Sequence, residues 1–207
     1  MAIHSDKLTL KPSGVFNSKI QPIFDDDKAI ALGLDPIEDG ALAVNNLTRE
    51  ELKDAPPTKI VWENFVAWVN KFNYRKSVFT APIPCGYNII NFDLPIITRL
   101  ATQYGNVDKD GRQNVFSQVF KIDFMDIFFY HTEHNRNVQK RTLSHIMDFM
   151  GYPKGQKTGL HNAVDDVRHT ANLLIKHLRH TRAESENIKW ESAFKDGIMP
   201  IRVEDIR

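Results

Sequence analysis

The chain has 207 residues, about the size of one domain, with 42% hydrophobic and 26% charged residues, 10 Gly and 10 Pro. These proportions exclude collagen-like, disordered and disulfide-scaffold classes. The single cysteine, Cys85, can form no internal disulfide, so a reducing compartment and an unstapled core are expected. A formal net charge of +1 conceals an acidic stretch from Asp25 to Asp54 and a basic one from Arg136 to Arg182. A basic segment suits phosphate binding and a solvated surface equally.

No apolar run approaches the roughly 18 residues of a spanning helix, and Met1-Ala-Ile-His-Ser-Asp lacks the pattern of a signal peptide. A cytoplasmic chain with no membrane association is expected. Ala2 to Lys11 reads as a strand, Pro12-Ser13-Gly14 as a turn and Val15 to Gln21 as a second strand paired back on the first. The acidic stretch, with Gly33, Pro36 and Gly40, reads as loop with at most a short helix, and Leu47 to Leu52 can start another. Trp62, Phe65, Val66 and Val69 fall at i, i+3, i+4 and i+7, which predicts an amphipathic helix begun by Pro56-Pro57-Thr58.

Pro82 to Asn88 leads into a buried strand or strand end, with Cys85 read as a small buried residue beside Gly86. Asp93-Leu94-Pro95 looks like a helix start, with Ile96, Ile97, Leu100 and Ala101 on its inner side. Asn106 to Gly111 imitates the start of a calcium-binding loop, but Ser117 stands where that loop needs a bidentate Glu, so a polar turn is expected. Val119 to Ile127 is an apolar run and reads as a strand. His131 with His134, and His177 with His180, are spaced i, i+3; lacking a third ligand, they read as solvated surface histidines. Leu143, Ile146, Met147 and Met150 predict a short helix stopped at Gly151. Val164, Val167, Ala171, Leu174, Ile175 and Leu178 predict a long final helix. The order of elements indicates α/β or α+β architecture with mixed sheet pairing.

Two clusters stand out chemically: Gly86 to Pro95, and His161-Asn162-Ala163-Val164-Asp165-Asp166 at the front of the final helix. Each has a structural reading, since Asp93 can cap one helix, and Asn162 with Asp165 can cap the other. Helical periodicity does not separate Asp165 from Asp166, because both lie off the apolar stripe.

Together, in this order and about 70 residues apart, the clusters resemble the DnaQ-like DEDDh family of 3′→5′ exonucleases across nearly the whole chain. Asn-x-x-x-Phe-Asp at Asn88 to Asp93 resembles that family's second motif, and His-x-Ala-x-x-Asp at His161, Ala163 and Asp166 resembles its third. Lys121 to Asp126 and Thr142 to Ile146 resemble the strand and helix between them. The resemblance implies an RNase H-like α/β fold, a mixed five-stranded sheet flanked by helices. It also implies two divalent cations, Mg²⁺ or Mn²⁺, roughly 3.5–4 Å apart and held by four acids. Asp93 and Asp166 take ligand positions in that alignment, His161 is the general base, and Asn88 and Phe92 shape the pocket for the terminal nucleotide. The implied partners are 3′ ends of single-stranded nucleic acid and, in some members, a DNA polymerase. DNA and RNA substrates both fit.

The family's first motif, Asp-x-Glu on the first and central strand, has no counterpart here: Asp25, Asp26 and Asp27 are adjacent in a loop and do not leave one face of a strand. Ala2 to Lys11 corresponds to the family's second strand. The expectation is therefore an exonuclease domain over residues 1–182 whose first strand lies upstream of Met1, with 183–207, carrying Trp190 and Phe194, as a helical C-terminal extension. As written, such a chain is expected to be inactive and marginally stable. The rival reading is a non-catalytic nucleic-acid-binding or scaffold module that keeps the fold.

Overall fold

The N-terminal segment folds back on itself within ten residues instead of forming one long strand. In the computed structural model, which describes residues 1–153 and 163–187, β1 (Ile3–His4) and β2 (Thr9–Leu10) pair antiparallel, with Ile3 opposite Leu10. Leu8 N donates to His4 O at 2.8 Å, and the buried Leu8 takes a left-handed conformation to close the turn. Nor is Val15 to Gln21 a strand. It runs extended, meets Pro57 through a bridge at Gln21, and inserts Phe16 against Phe65 and Trp68, with ring centroids 5.5 and 5.9 Å away. Partial burial of one aromatic ring, with Val15 and Ile20 left exposed, is a different solution from the two-sided burial of a paired strand.

The acidic stretch forms short helices α1 (Asp26–Ala31), α2 (Asp39–Val44) and α3 (Arg49–Lys53). The first is capped by Asp25, which accepts from Lys28 N, and the third by a capping box between Thr48 and Glu51. Helix α4 (Thr58–Asn70) follows Pro57 as the sequence predicts and buries Val61, Trp62 and Val69. Trp62, Val69, Ala101 and Val115 make one core. The Trp62 indole is satisfied by Asn106 Oδ1 at 2.6 Å. Asn106 to Gly111 is the expected polar turn: Asp108 Oδ1 accepts from Asp110 N and Arg112 N, both at 2.9 Å.

Two strands run parallel, β3 (Cys85–Gly86) and β4 (Ile122–Asp123), with Cys85 beside Ile122. Among the described residues the architecture is thus mixed α/β, with eight α-helices and two sheets of two strands. The β3–β4 pair is followed on each side by a helix: α5 (Asp93–Gln103) after β3 and α6 (Phe124–Thr132) after β4. Two expectations change here. Val119 to Ile127 is a strand over only two residues, because Asp123 caps a helix and Phe124, Phe128 and Thr132 recur at four-residue spacing and are buried. Cys85 is exposed, on a strand whose only partner among the described residues is β4.

Helix α7 (Leu143–Phe149) ends before Gly151, whose φ of 68° is the left-handed stop. Helix α8 (Ala163–Asn187) runs unbroken through residue 182. The second core joins α6, α7 and α8 through Phe124, Phe128, Ile146, Met147, Leu173 and Leu174, with Ile3, Tyr87 and Ile122 packed against it. Arg179 and Arg182 on α8 donate to Leu8 O and Ser5 O, at 2.9 and 2.8 Å, which ties the hairpin turn to this body. His177 is half-buried, not solvated: its ring lies 5.2 Å from that of His131 and 5.7 Å from that of Phe124. Burial lowers its pKa, and the neighbouring His131 and His180 add to that. No helix among the described residues is long and apolar enough to cross a membrane.

Candidate active site

The loop from Tyr87 to Phe92 leaves the end of β3 and is gripped from below by a buried carboxylate that ends β4. Asp123, 5% exposed, accepts from Asn88 N at 2.8 Å and Met125 N at 3.0 Å through Oδ1, and from Ile90 N at 3.2 Å through Oδ2. Three backbone donors on one carboxylate fix the loop to the first turn of α6. Asn88 adopts a left-handed conformation, φ 57°, which asparagine tolerates better than most residues. Its side chain accepts from Asn91 Nδ2 at 3.0 Å and its carbonyl from Phe92 N at 3.2 Å.

Gly86 is required by close approach: a Cβ there would lie well inside contact distance of Ile89 Cγ2, and Ile89 is buried. Gly86→Ala is expected to cost about 1–3 kcal/mol through overpacking. Thermal unfolding should show it as roughly 2–4 °C for each kcal/mol, and a variant melting with the wild type would contradict this packing.

Asp93 stands at the first position of α5, and Phe92 occupies the cap without a side-chain hydrogen bond. The predicted capping role is therefore not the one Asp93 fills. Its carboxyl is raised above the ordinary carboxylate value chiefly by burial, with a hydrogen bond from its own backbone N–H opposing and the negative charge of Asp123 adding less. The Asp123 carboxylate is taken up by backbone donors, whereas Asp93 stands at the exposed start of α5. Phe92 is 65% exposed next to it, open to a stacking partner.

On the other side, Asp165 and Asp166 lie in the first turn of α8. Asp165 is paired with Arg168 on the same helix. Among the described residues Asp166 has no ion pair, and its carbonyl accepts from Thr170 Oγ1 at 2.9 Å. The structure thus separates two neighbours that periodicity could not. The front of α8 shares a cavity of about 130 Å³ with Met1, Val15, Phe16 and Asn17. Burial holds the Met1 amino group below its ordinary pKa, with the Cys85 thiol close enough to act in the opposite sense. Met1 therefore lies between the front of α8 and β3, and α8 itself contacts β3. His161 lies outside the described residues. No group of three or more His, Cys, Asp or Glu side chains arranged for a metal occurs among the described residues.

Tyr87 closes the back of the site by donating to Arg141 O. Its hydroxyl pKa is pushed up to about 12, chiefly by burial, secondly by Asp123, with Arg141 opposing. The native state keeps a proton that the unfolded chain releases near pH ~10. This contribution to stability is complete below that pH and is lost as pH rises through about 12. Alkaline unfolding followed by circular dichroism should therefore steepen over that window in the wild type and not in Tyr87→Phe.

Asp123 is the residue that sequence reasoning passed over, and its signal was present: an acid at the end of an apolar run with Phe at the following helical spacing is a cap signature. No protein-family model, curated protein or solved structure matches the chain.

Proposed function

We propose that this chain is a metal-dependent 3′→5′ exonuclease domain that releases nucleotides from the 3′ end of single-stranded DNA or RNA. The observation that carries the reading is the Asp123-clamped loop, which leads into Asp93 at the first position of α5, while Asp166 stands in the first turn of α8 and forms no ion pair among the described residues. Two divalent cations, Mg²⁺ or Mn²⁺, would supply a nucleophilic water and charge neutralisation on the phosphate when bound. Asp93 and Asp166 would hold them with hard oxygens, and His161 would take the proton from the attacking water. Asn88 fixes the loop's left-handed turn, and Phe92 receives the terminal base on its exposed ring. In this reading the fold is a mixed, RNase H-like sheet of five strands; among the described residues β1–β2 and β3–β4 form two separate two-stranded sheets.

The test assays 3′-labelled and 5′-labelled single strands with Mg²⁺, using the chain alone and the chain joined to any in-frame codons that precede it. Mononucleotide release from the 3′ label first, lost in His161→Ala and in chelator, is the expected result for the joined chain. Release unaffected by His161→Ala, or absent altogether, would overturn the reading. A second reading is a nucleic-acid-binding module without catalysis, whose support is the basic stretch from Arg136 to Arg182. It predicts salt-dependent strand binding with no release from either chain.

A further inference from the structure

We infer that the turn between α4 and β3, with the segment leading into β4, forms a stacking platform for single-stranded nucleic acid, separate from the candidate active site. Phe79 is 91% exposed, Tyr74 75% and Phe120 63%, and Arg75, Lys76 and Lys121 are exposed among them. From Asn64 to Phe92 and from Gly111 to Ile122 the sequence has no acid. The two segments are joined: Ser117 N donates to Pro82 O at 2.9 Å. Phe79 and Phe120 each lie three residues from that bond, at most about 11 Å of extended chain.

The rings are not exposed for want of order. The buried Asn73 donates to Ser77 O at 3.1 Å and accepts from Ser77 N at 3.2 Å and Thr80 Oγ1 at 2.6 Å. Ser77 Oγ accepts from Phe79 N, and Ser117 Oγ from Phe120 N, at 3.2 and 3.1 Å. The Arg75 guanidinium lies 5.2 Å from the centroid of the Tyr74 ring. Rigidly mounted aromatic faces among cations, with no acid in the same segments, match the bases and phosphates of an unpaired strand. A protein partner matched by apolar area alone would leave the positive charge beside the rings unused. Both parallel strands start from this platform and end at Asp123 and the Asn88 loop. A strand held here therefore lies behind the nucleotide at the site. The inference deepens the proposed function and rests on it for the course of the strand, whereas its test does not.

The experiment is fluorescence anisotropy of a fluorescein-labelled oligothymidylate of about 20 nucleotides, longer than a single stacking site, with the full chain in EDTA. The wild type should bind with affinity that falls as salt rises, and Lys121→Gln should reduce the salt slope by about one. Phe79→Leu with Phe120→Leu, which keeps apolar area but removes the π-face, should raise Kd at least about tenfold. Phe79→Trp should bind like the wild type. Circular dichroism checks that these surface variants fold. Absence of binding by the wild type, or leucine variants that bind like it, would overturn the inference. So would a dimer in sedimentation that Phe79→Ser dissolves, which assigns the patch to a second copy. Binding in EDTA without nucleotide release in the hydrolysis assay leaves the platform standing and removes the nuclease reading; release without patch-dependent binding does the reverse.

Discussion

Asp123→Ala is expected to destabilise the protein by about 3 kcal/mol and to loosen the loop that carries Asn88. The substitution strands three backbone donors, Asn88 N, Ile90 N and Met125 N, in a site where each lost partner costs about 1–3 kcal/mol, offset where water reaches it. The Met125 N bond is also the cap of α6, worth roughly 1 kcal/mol by itself. Asp123→Asn should cost less, because one amide oxygen can keep the two donors that share Oδ1, while its NH₂ group faces Ile90 N donor to donor. Urea unfolding of the two variants beside the wild type reads the difference. Equal midpoints for Asp123→Ala and wild type would mean that the clamp contributes nothing.

Asp93→Asn and Asp166→Asn are each expected to reduce nucleotide release by the joined chain at least about 10²-fold, the scale for removing a charge that stabilises the transition state. Asp165→Asn should leave release nearly unchanged, since its carboxylate is committed to Arg168 in an exposed pair worth no more than about 1 kcal/mol. The three variants differ by one atom at neighbouring or equivalent positions, so a shared folding defect cannot produce that order. A loss at Asp165 with none at Asp166 would reassign the ligand.

Elements with a single strong period were legible before the fold was known. The stripe from Trp62 to Val69 gave α4, the Gly151 stop gave the end of α7, and the stripe from Val164 to Leu178 gave α8, because one buried face imposes a 3.6-residue repeat on the sequence. Val119 to Ile127 was misread because a continuous apolar run fits a buried strand and a helix alike. A buried Asp decided the matter by ending one and capping the other. The hairpin at Ile3 to Leu10 was hidden for a related reason: its turn is closed by a left-handed leucine, without a glycine or proline to mark it.

At the site, sequence patterns placed Asp93 and Asp166 on helix starts, yet roles could not follow from spacing. The clamp by Asp123 depends on a contact between residues 35 apart, and the pairing that occupies Asp165 needs the side chain of Arg168 to fold back along the helix. Tyr74, Phe79 and Phe120 were invisible as a group, since an aromatic residue reads as core until the fold shows it facing water. His161 and residues 188–207, with Trp190 and Phe194, lie outside the described residues.

The most direct test of the two-carboxylate site is Mn²⁺ titration of the chain, read by the paramagnetic enhancement of water proton relaxation. Wild type and Asp165→Asn should bind Mn²⁺ alike, and Asp93→Asn and Asp166→Asn should each weaken it at least about tenfold. Mn²⁺ binding that is indifferent to both Asp93 and Asp166 would contradict the account.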